Sequence, residues 1–227
     1  RWDNGQGQVF QIKLSVDEGY LFTAEQHLVN RGTSGVVAQP FALVSRVGPS
    51  PDQSGWTLHV GPVGVIQGSA NYDYDWEDVV EAGNVGFNST GGWIGFTDKY
   101  WLAAVIPDQS RPAELAFRHN RSTNAFQADY SSRAVAVAPG QGIRTTTRLF
   151  AGAKEISLLE SYAHEQGLTM LDRAIDWGWF DFIMKPIFWL LNWLFSLIGN
   201  FGVAIIGLTL IVRLLLFPIA QKQFALM

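Results

Sequence analysis

Residues 201–220 read FGVAIIGLTLIVRLLLFPIA, a twenty-residue apolar run that contains a single charge, Arg213. Twenty residues of α-helix are about 30 Å long, which matches the hydrocarbon core of a bilayer. We therefore predict that residues 201–224 form a transmembrane helix. Lys222 follows the run and predicts its cytoplasmic end, because positive residues favour that side of a membrane.

Arg213 is the only charged residue in the stretch 186–221. A charge at the centre of a membrane costs about 2.5–3.5 kcal/mol on insertion scales, so such residues usually face a partner or a water-filled cavity. Helical spacing places Gly202 and Thr209 on the side of Arg213, which is relatively rich in small and polar residues. Two interpretations stay open: a functional charge, which we favour, or an arginine near the helix end that snorkels to headgroups.

Upstream, residues 181–198 carry their polar side chains on one narrow stripe of an otherwise apolar helix. Indole rings, such as those of Trp189 and Trp193, favour the headgroup layer of a membrane. We predict an amphipathic interfacial helix here, with a buried core helix as the alternative. The polar stripe consists of Asp181, Lys185, Asn192 and Ser196. After this predicted helix, Gly199 and Asn200 break the apolar pattern.

The first 150 residues have the period of two that is typical of half-buried strands, as in Phe10, Ile12, Leu14 and Val16. Many short strands separated by turn residues, without helical periodicity between them, predict a mainly β sandwich or barrel. The predicted strands are residues 10–16, 20–29, Val36–Val47, Trp56–Ile66, Trp93–Ile106, Glu114–Arg118, Phe126–Tyr130, Ala134–Ala138 and Ile143–Ala151.

The pattern becomes helical after Lys154, where apolar residues recur at helical spacing until Gly167. A short amphipathic helix is therefore expected to close the β-domain, which we assign to residues 1–170. Residues 171–180 are expected to be a connector. The net charge of −4, without a basic cluster, argues against nucleic-acid binding, and the absence of cysteine excludes disulfides and thiolate metal sites.

Five acidic residues between Asp73 and Glu81 resemble the start of a calcium loop, but Asp78 stands where that loop requires glycine. We expect a solvated acidic loop, whose tyrosines and Trp76 offer an alternative as a contact surface for a partner. The four histidines have no catalytic or metal-ligand spacing. No metal or other cofactor is expected.

Three stretches toward the end of the chain resemble the YidC family of membrane protein insertases. They are Asp176-Trp177-Gly178-Trp179-Phe180, Lys185-Pro186-Ile187-Phe188, and the stretch from Gly199-Asn200-Phe201-Gly202 through Thr209-Leu210-Ile211-Val212-Arg213 and Phe217-Pro218 to Gln221-Lys222-Gln223. A weaker resemblance to the periplasmic domain of bacterial members runs from Gly91-Gly92-Trp93 to Ile106-Pro107.

The resemblance implies a periplasmic β-supersandwich, an interfacial helix and the first of five core helices of a bacterial inner-membrane protein, with residues 1–198 on the periplasmic side. It implies a hydrophilic groove that binds client proteins and no enzymatic activity. The implied partners are nascent membrane proteins, the ribosome, the Sec translocon with its accessory subunits, and the lipid bilayer. The groove residues would be Arg213, Thr209, Phe217 and Pro218, and those of the interfacial helix Trp189, Trp193 and Lys185.

Two other functions stay open. A membrane-anchored carbohydrate-binding protein or enzyme would suit the fold, but it would need positioned acids or a histidine–glutamate pair. A scaffold with a simple anchor helix would gain nothing from Arg213.

Overall fold

In the computed structural model, residues 1–52, 58–178 and 181–225 are described, and they form two compact units. The first unit, Arg1–Asp176, is built mainly of strands. The second, Trp177–Met227, is helical. The compact β-unit thus extends to Asp176, six residues beyond the end expected for the β-domain.

Within these ranges the structure has fourteen strands and four α-helices. The strands are β1 (Trp2–Asp3), β2 (Gln8–Val16), β3 (Leu21–Asn30), β4 (Val36–Ala38), β5 (Phe41–Val47), β6 (Gly61–Ile66), β7 (Ser69–Asn71), β8 (Asn84–Thr90), β9 (Trp93–Thr97), β10 (Trp101–Ile106), β11 (Pro112–Asn120), β12 (Ala125–Ser132), β13 (Val135–Val137) and β14 (Gly142–Ala153). The helices are α1 (Trp76–Ala82), α2 (Ile156–Glu165), α3 (Asp181–Ile198) and α4 (Phe201–Ala225), with a 3₁₀ turn at Leu171–Ala174.

The strands form a sandwich of antiparallel sheets, which confirms the mainly β prediction. The large sheet has the order β1-β2-β3-β14-β10-β9-β6-β7, the second sheet β5-β12-β11-β8, and β13 pairs with β4. Between the two sheets lies a core of buried side chains that includes Val105, Phe117 and Tyr130. Each such side chain contributes about 1.5–3 kcal/mol on burial.

A second core covers the opposite face of the large sheet. Successive residues of a strand point to opposite faces, so one strand can contribute side chains to both cores. In β10, Leu102 belongs to this second core, whereas Val105 belongs to the first. Helix α2 contributes Leu159 and Tyr162 to it. The helix that was expected to close the β-domain is confirmed at Ile156–Glu165. Part of the expected connector belongs to the same core, since Leu168, Leu171 and Ala174 are buried there.

Two predicted strands are each two strands in the structure. Val36–Val47 is interrupted between β4 and β5 at Pro40, because proline has no N–H for a sheet ladder. Trp93–Ile106 is a hairpin of β9 and β10, whose turn is closed by a hydrogen bond of 2.9 Å from Asp98 N–H to the Trp101 carbonyl. For the prediction Trp56–Ile66, Trp56 lies outside the described residues, and β6 begins at Gly61.

The acidic run was wrongly predicted to be a loop, because three of its five acidic residues, Glu77, Asp78 and Glu81, lie in helix α1. Asp75 caps this helix: its side chain accepts hydrogen bonds from the N–H groups of Glu77 and Asp78, and the Asp78 side chain accepts one from Asp75 N–H. Such a capping box satisfies helix-end donors that otherwise have no partner. This short segment contains too few apolar residues for its helical periodicity to be recognised in the sequence.

The aromatic residues of this segment pack inward and do not form the exposed contact surface that was considered. The Trp76 ring stacks on Phe96 with centroids 5.3 Å apart and contacts Phe126 edge-on at 4.9 Å. The guanidinium of Arg46 lies 5.0 Å from the Trp76 ring centroid. Tyr74 likewise packs against aromatic residues of the core between the sheets.

Candidate membrane-insertion site

A tight turn joins the two long helices at the residues where the sequence predicted a break. Gly199 adopts a positive φ of 71° at the end of α3, a backbone conformation that favours glycine, and its N–H donates to the Phe195 carbonyl at 2.8 Å. The Asn200 side chain then accepts from Val203 N–H at 3.2 Å. Asn200 therefore caps α4, as asparagine does at many helix starts.

Helices α3 and α4 pack through small residues. Ala204 is fully buried and Leu194 is nearly so. Leu194 lies beside Gly207, since a Cβ added there would be 3.8 Å from Leu194 Cδ1, an ordinary van der Waals distance. Near the turn, the rings of Phe195 and Phe201 meet edge-on with centroids 5.6 Å apart. Helix α3 therefore contacts the side of α4 that carries Ala204.

The predicted groove residues lie on another side of α4. Thr209, Arg213 and Phe217 follow one another at intervals of four residues, so they share a face of the helix. Ala204 precedes Arg213 by nine residues, which places it about 180° away at 3.6 residues per turn. The structure thus brings these three residues onto one face, opposite to the face that α3 covers, and all three are exposed.

The two polar side chains on this face, Thr209 and Arg213, differ in the partners that the chain offers them. The Thr209 hydroxyl donates to the Ile205 carbonyl at 2.9 Å, within the helix itself. Arg213 has no acidic neighbour in the sequence, since residues 182–227 contain neither Asp nor Glu. Helix α4 continues through Pro218, the remaining predicted groove residue, to Ala225.

Helix α4 has the length and apolar character of a membrane span over Phe201–Pro218, the one such helix among the described residues. Large apolar side chains such as Leu210, Leu214 and Leu215 are more than half exposed. Monomeric soluble proteins rarely expose contiguous apolar patches of this size. The helix is therefore suited to contact with lipid.

Helix α3 exposes the two tryptophans that were expected to face the headgroups. Trp189 and Trp193 are 55% and 57% exposed, and the Ser196 hydroxyl donates to the Trp193 carbonyl at 2.7 Å. Lys185 is half-buried, while Asn192 on the same predicted stripe is exposed. The side chain of Asp181 lies outside what the structure describes.

The histidines of the β-domain lie on separate elements. His27 is in β3 near Glu25, His119 is in β11 with its Nε2 3.1 Å from Asn124 Oδ1, and His164 is in α2. His59 Nε2 lies 2.7 Å from the Pro62 carbonyl oxygen. In the described part of the chain, no three His, Cys, Asp or Glu residues are placed to hold a metal ion.

Residues 1–190 match the family described as the YidC periplasmic domain. The chain belongs to the YidC family. Relatives named membrane protein insertase YidC include one from Zymomonas mobilis, 46% identical over 100% of this chain and 39% of that protein. Another, from Methylorubrum extorquens, is 41% identical over 100% of this chain and 38% of that protein. The chain thus spans about two fifths of the length of these relatives.

The YidC match places the β-domain on the periplasmic side of the bacterial inner membrane, with one candidate membrane-spanning helix after it. Among solved structures, the Slr1438 protein from Synechocystis sp. PCC 6803 is similar to this chain with a TM-score of 0.41. The two are 11% identical over 64% of this chain and 54% of that protein. That likeness is too low to support a functional argument.

Sequence reasoning missed one group of exposed side chains, which lies at the turn between β9 and β10. Tyr100 and Trp101 are 64% and 60% exposed there, although they were assigned to the middle of a single strand. The adjacent charges of Asp98 and Lys99 interrupt the apolar run, and fourteen residues exceed the usual length of a strand. Both signals indicate a hairpin turn.

Proposed function

We propose that the full-length protein assists the insertion and folding of nascent inner-membrane proteins through a hydrophilic groove that contains Arg213. The single observation that carries this proposal is the position of Arg213, the one charge in residues 186–221, on an exposed face of α4 that α3 leaves uncovered. A helix that only anchors a domain would be easier to insert without this charge.

The mechanism follows from solvation and electrostatics. The polar part of a client segment would otherwise lose its hydration in hydrocarbon, which costs several kcal/mol for each unsatisfied group. Because residues 182–227 contain no carboxylate, Arg213 remains available to hold water and to attract acidic or polar parts of the client. The apolar part of the client leaves sideways into lipid. Thr209 and Phe217 line the groove on the same face as Arg213, and Pro218, five residues after Arg213, borders it about 140° round the helix.

The other parts of the chain position this groove. Helix α3 lies along the periplasmic headgroups, with Trp189 and Trp193 in the interface and Lys185 on its polar stripe. The lipid bilayer, nascent membrane proteins and the ribosome are the partners in insertion. The Sec translocon and its accessory subunits are the partners for clients that need them.

Depletion of the native insertase, followed by rescue with full-length variants at matched expression, tests this function. Arg213→Lys keeps the positive charge but lacks the planar guanidinium group with its five N–H donors. This variant should restore most of the growth and most of the insertion. Arg213→Ala should fail for clients with acidic translocated tails. Lys222→Ala, which removes a charge nine residues further on, is the matched control and should rescue. Full rescue by Arg213→Ala for acidic clients would overturn the proposal.

A further inference from the structure

Three large aromatic side chains lie exposed at one end of the β-domain. Tyr20, Tyr100 and Trp101 are 60%, 64% and 60% exposed. The β-domain buries most of its other aromatic rings in its two cores. We call these three residues the aromatic rim.

Backbone hydrogen bonds place the aromatic rim around the end of strand β14. Lys154 N–H, directly after β14, donates to the Tyr100 carbonyl at 2.9 Å, and Trp101 is the next residue in β10. Ala151 N–H donates to the Tyr20 carbonyl at 3.3 Å. The three residues therefore lie at one end of the large sheet, in turns or at the start of a strand.

The chain leaves the β-domain at this same end. The ammonium group of Lys154 donates to Thr97 Oγ1 at 2.8 Å beside the aromatic rim. Burial lowers the pKa of Lys154, and the carboxylates of Asp98 and Asp176 act in the opposite direction. Asp176, the last residue of the β-unit, is thus close enough to Lys154 to act on its pKa.

A short stretch of chain follows Asp176 before the interfacial helix begins at Asp181. Five residues can span at most roughly 18 Å even when fully extended. If α3 lies in the headgroup layer, as the proposed function requires, Asp176 is held within this distance of the membrane. The end of the β-domain that carries the aromatic rim is then held close to lipid.

We propose that the aromatic rim contacts the headgroup layer of the periplasmic leaflet and holds this end of the β-domain on the membrane. Tyrosine and tryptophan are enriched in this layer, where one part of the ring is apolar and the other is hydrated. The ammonium group of Lys99 lies 5.2 Å from the Tyr100 ring centroid and supplies a positive charge for lipid phosphates. This contact fixes the orientation of the periplasmic domain on the membrane surface.

Phe41 provides a matched control away from the aromatic rim. It is 60% exposed, like Trp101, and it begins strand β5. The far end of β5 lies at the rim, because Arg46 forms a 2.8 Å ion pair with Asp98. Phe41 precedes Arg46 by five positions along the strand, a distance of about 17 Å.

Single cysteines with a spin label can test the contact directly, since the 227-residue chain contains no cysteine. The chain is reconstituted in vesicles of phosphatidylethanolamine and phosphatidylglycerol, with the label at Trp101→Cys, Tyr100→Cys, Phe41→Cys or Trp189→Cys. Accessibility to oxygen, which concentrates in lipid, is compared with accessibility to a water-soluble nickel chelate. We expect the ratio to rise several-fold at positions 100 and 101 and to stay at its aqueous value at position 41.

Aqueous ratios at both 100 and 101, or equal ratios at 41 and 101, would overturn the inference. Shielding of the rim from both reagents would also overturn it, because that result indicates a protein partner. The label at position 189 separates this inference from the proposed function. A lipid signal at 189 with an aqueous signal at the rim refutes the rim contact alone. An aqueous signal at 189 refutes the interfacial position of α3.

Discussion

The hydroxyl group of Tyr162 donates to the carboxylate of Asp17, with both carboxylate oxygens at 2.8 Å. Asp17 also accepts from the N–H groups of Gly19 and Leu21 and so shapes the turn between β2 and β3. Tyr162 lies in α2, and its ring meets Phe150 edge-on at 6.2 Å in the core beneath the large sheet. This one contact therefore ties the closing helix to a hairpin that is 145 residues away in sequence.

Removing this hydroxyl should destabilise the β-domain measurably. Tyr162→Phe keeps the buried ring but loses the hydrogen bond, which costs about 1.5 kcal/mol, the low end for a bond to a charged group, since Asp17 is exposed. Urea unfolding of the chain in detergent, followed by tryptophan fluorescence, measures the difference. Tyr20→Phe, at an exposed tyrosine, is the control and should have no effect. Equal stability of Tyr162→Phe and the natural chain would contradict this assignment.

Stability should fall in alkaline solution. Burial raises the pKa of Tyr72, Tyr130 and Tyr162 above the usual value. In the unfolded chain these tyrosines ionise near pH 10, while the folded chain keeps them protonated. The unfolded state therefore binds fewer protons, and the free energy of unfolding decreases as the pH rises above about 10. Urea unfolding at a series of pH values should show this decrease, with a shallower slope for Tyr162→Phe. A flat profile would count against it.

The cap of helix α1 should contribute to stability as well. Asp75→Ala removes the acceptor for two backbone N–H groups, and loss of an N-cap costs about 0.5–2 kcal/mol. Glu81→Ala is the control, since it removes the same charge from the exposed last turn of the helix. Thermal unfolding of both variants should show a lower midpoint for Asp75→Ala only. A similar shift in both would mean that charge, and not capping, is responsible.

The strand pattern of the β-domain could be predicted largely from the sequence, because alternation of apolar residues reports which side chains face a core. Strand β8 was missed even though Val85 and Phe87 alternate there. Its asparagines and Gly86 resemble a turn in sequence, and only the pairing with β11 shows them to be part of a ladder. Strands β1 and β7 were also missed, because they are too short to show an alternation of apolar and polar residues.

The candidate site was predictable in part. The break at Gly199 and Asn200 is a local signal, so it could be read from the sequence and is confirmed. The packing of Leu194 against Gly207 is a contact between two helices, and no periodicity specifies it. The roles of Arg213 and Trp189 remain predictions, because they depend on lipid and on client chains.

The β-domain should fold without the helical unit. Residues 1–176 form a compact unit that contains both cores. Expressed alone, this stretch should be soluble, show a β-type circular dichroism spectrum and unfold cooperatively. Residues 1–170, which lack Leu171 and Ala174 of the second core, should be less stable. Aggregation of the 1–176 stretch would show that the β-domain depends on the rest of the protein.

Site-specific photocrosslinking along α4 tests the central claim most directly, namely that a client passes the Arg213 face. A photoreactive residue is placed at Thr209 or Phe217 in the full-length protein, beside Arg213, or at Leu215, which is 68% exposed and lies about 160° round the helix. With a client stalled during insertion, we expect crosslinks from positions 209 and 217 and few from 215. Equal crosslinking from all three positions, or crosslinks from 215 alone, would contradict the account.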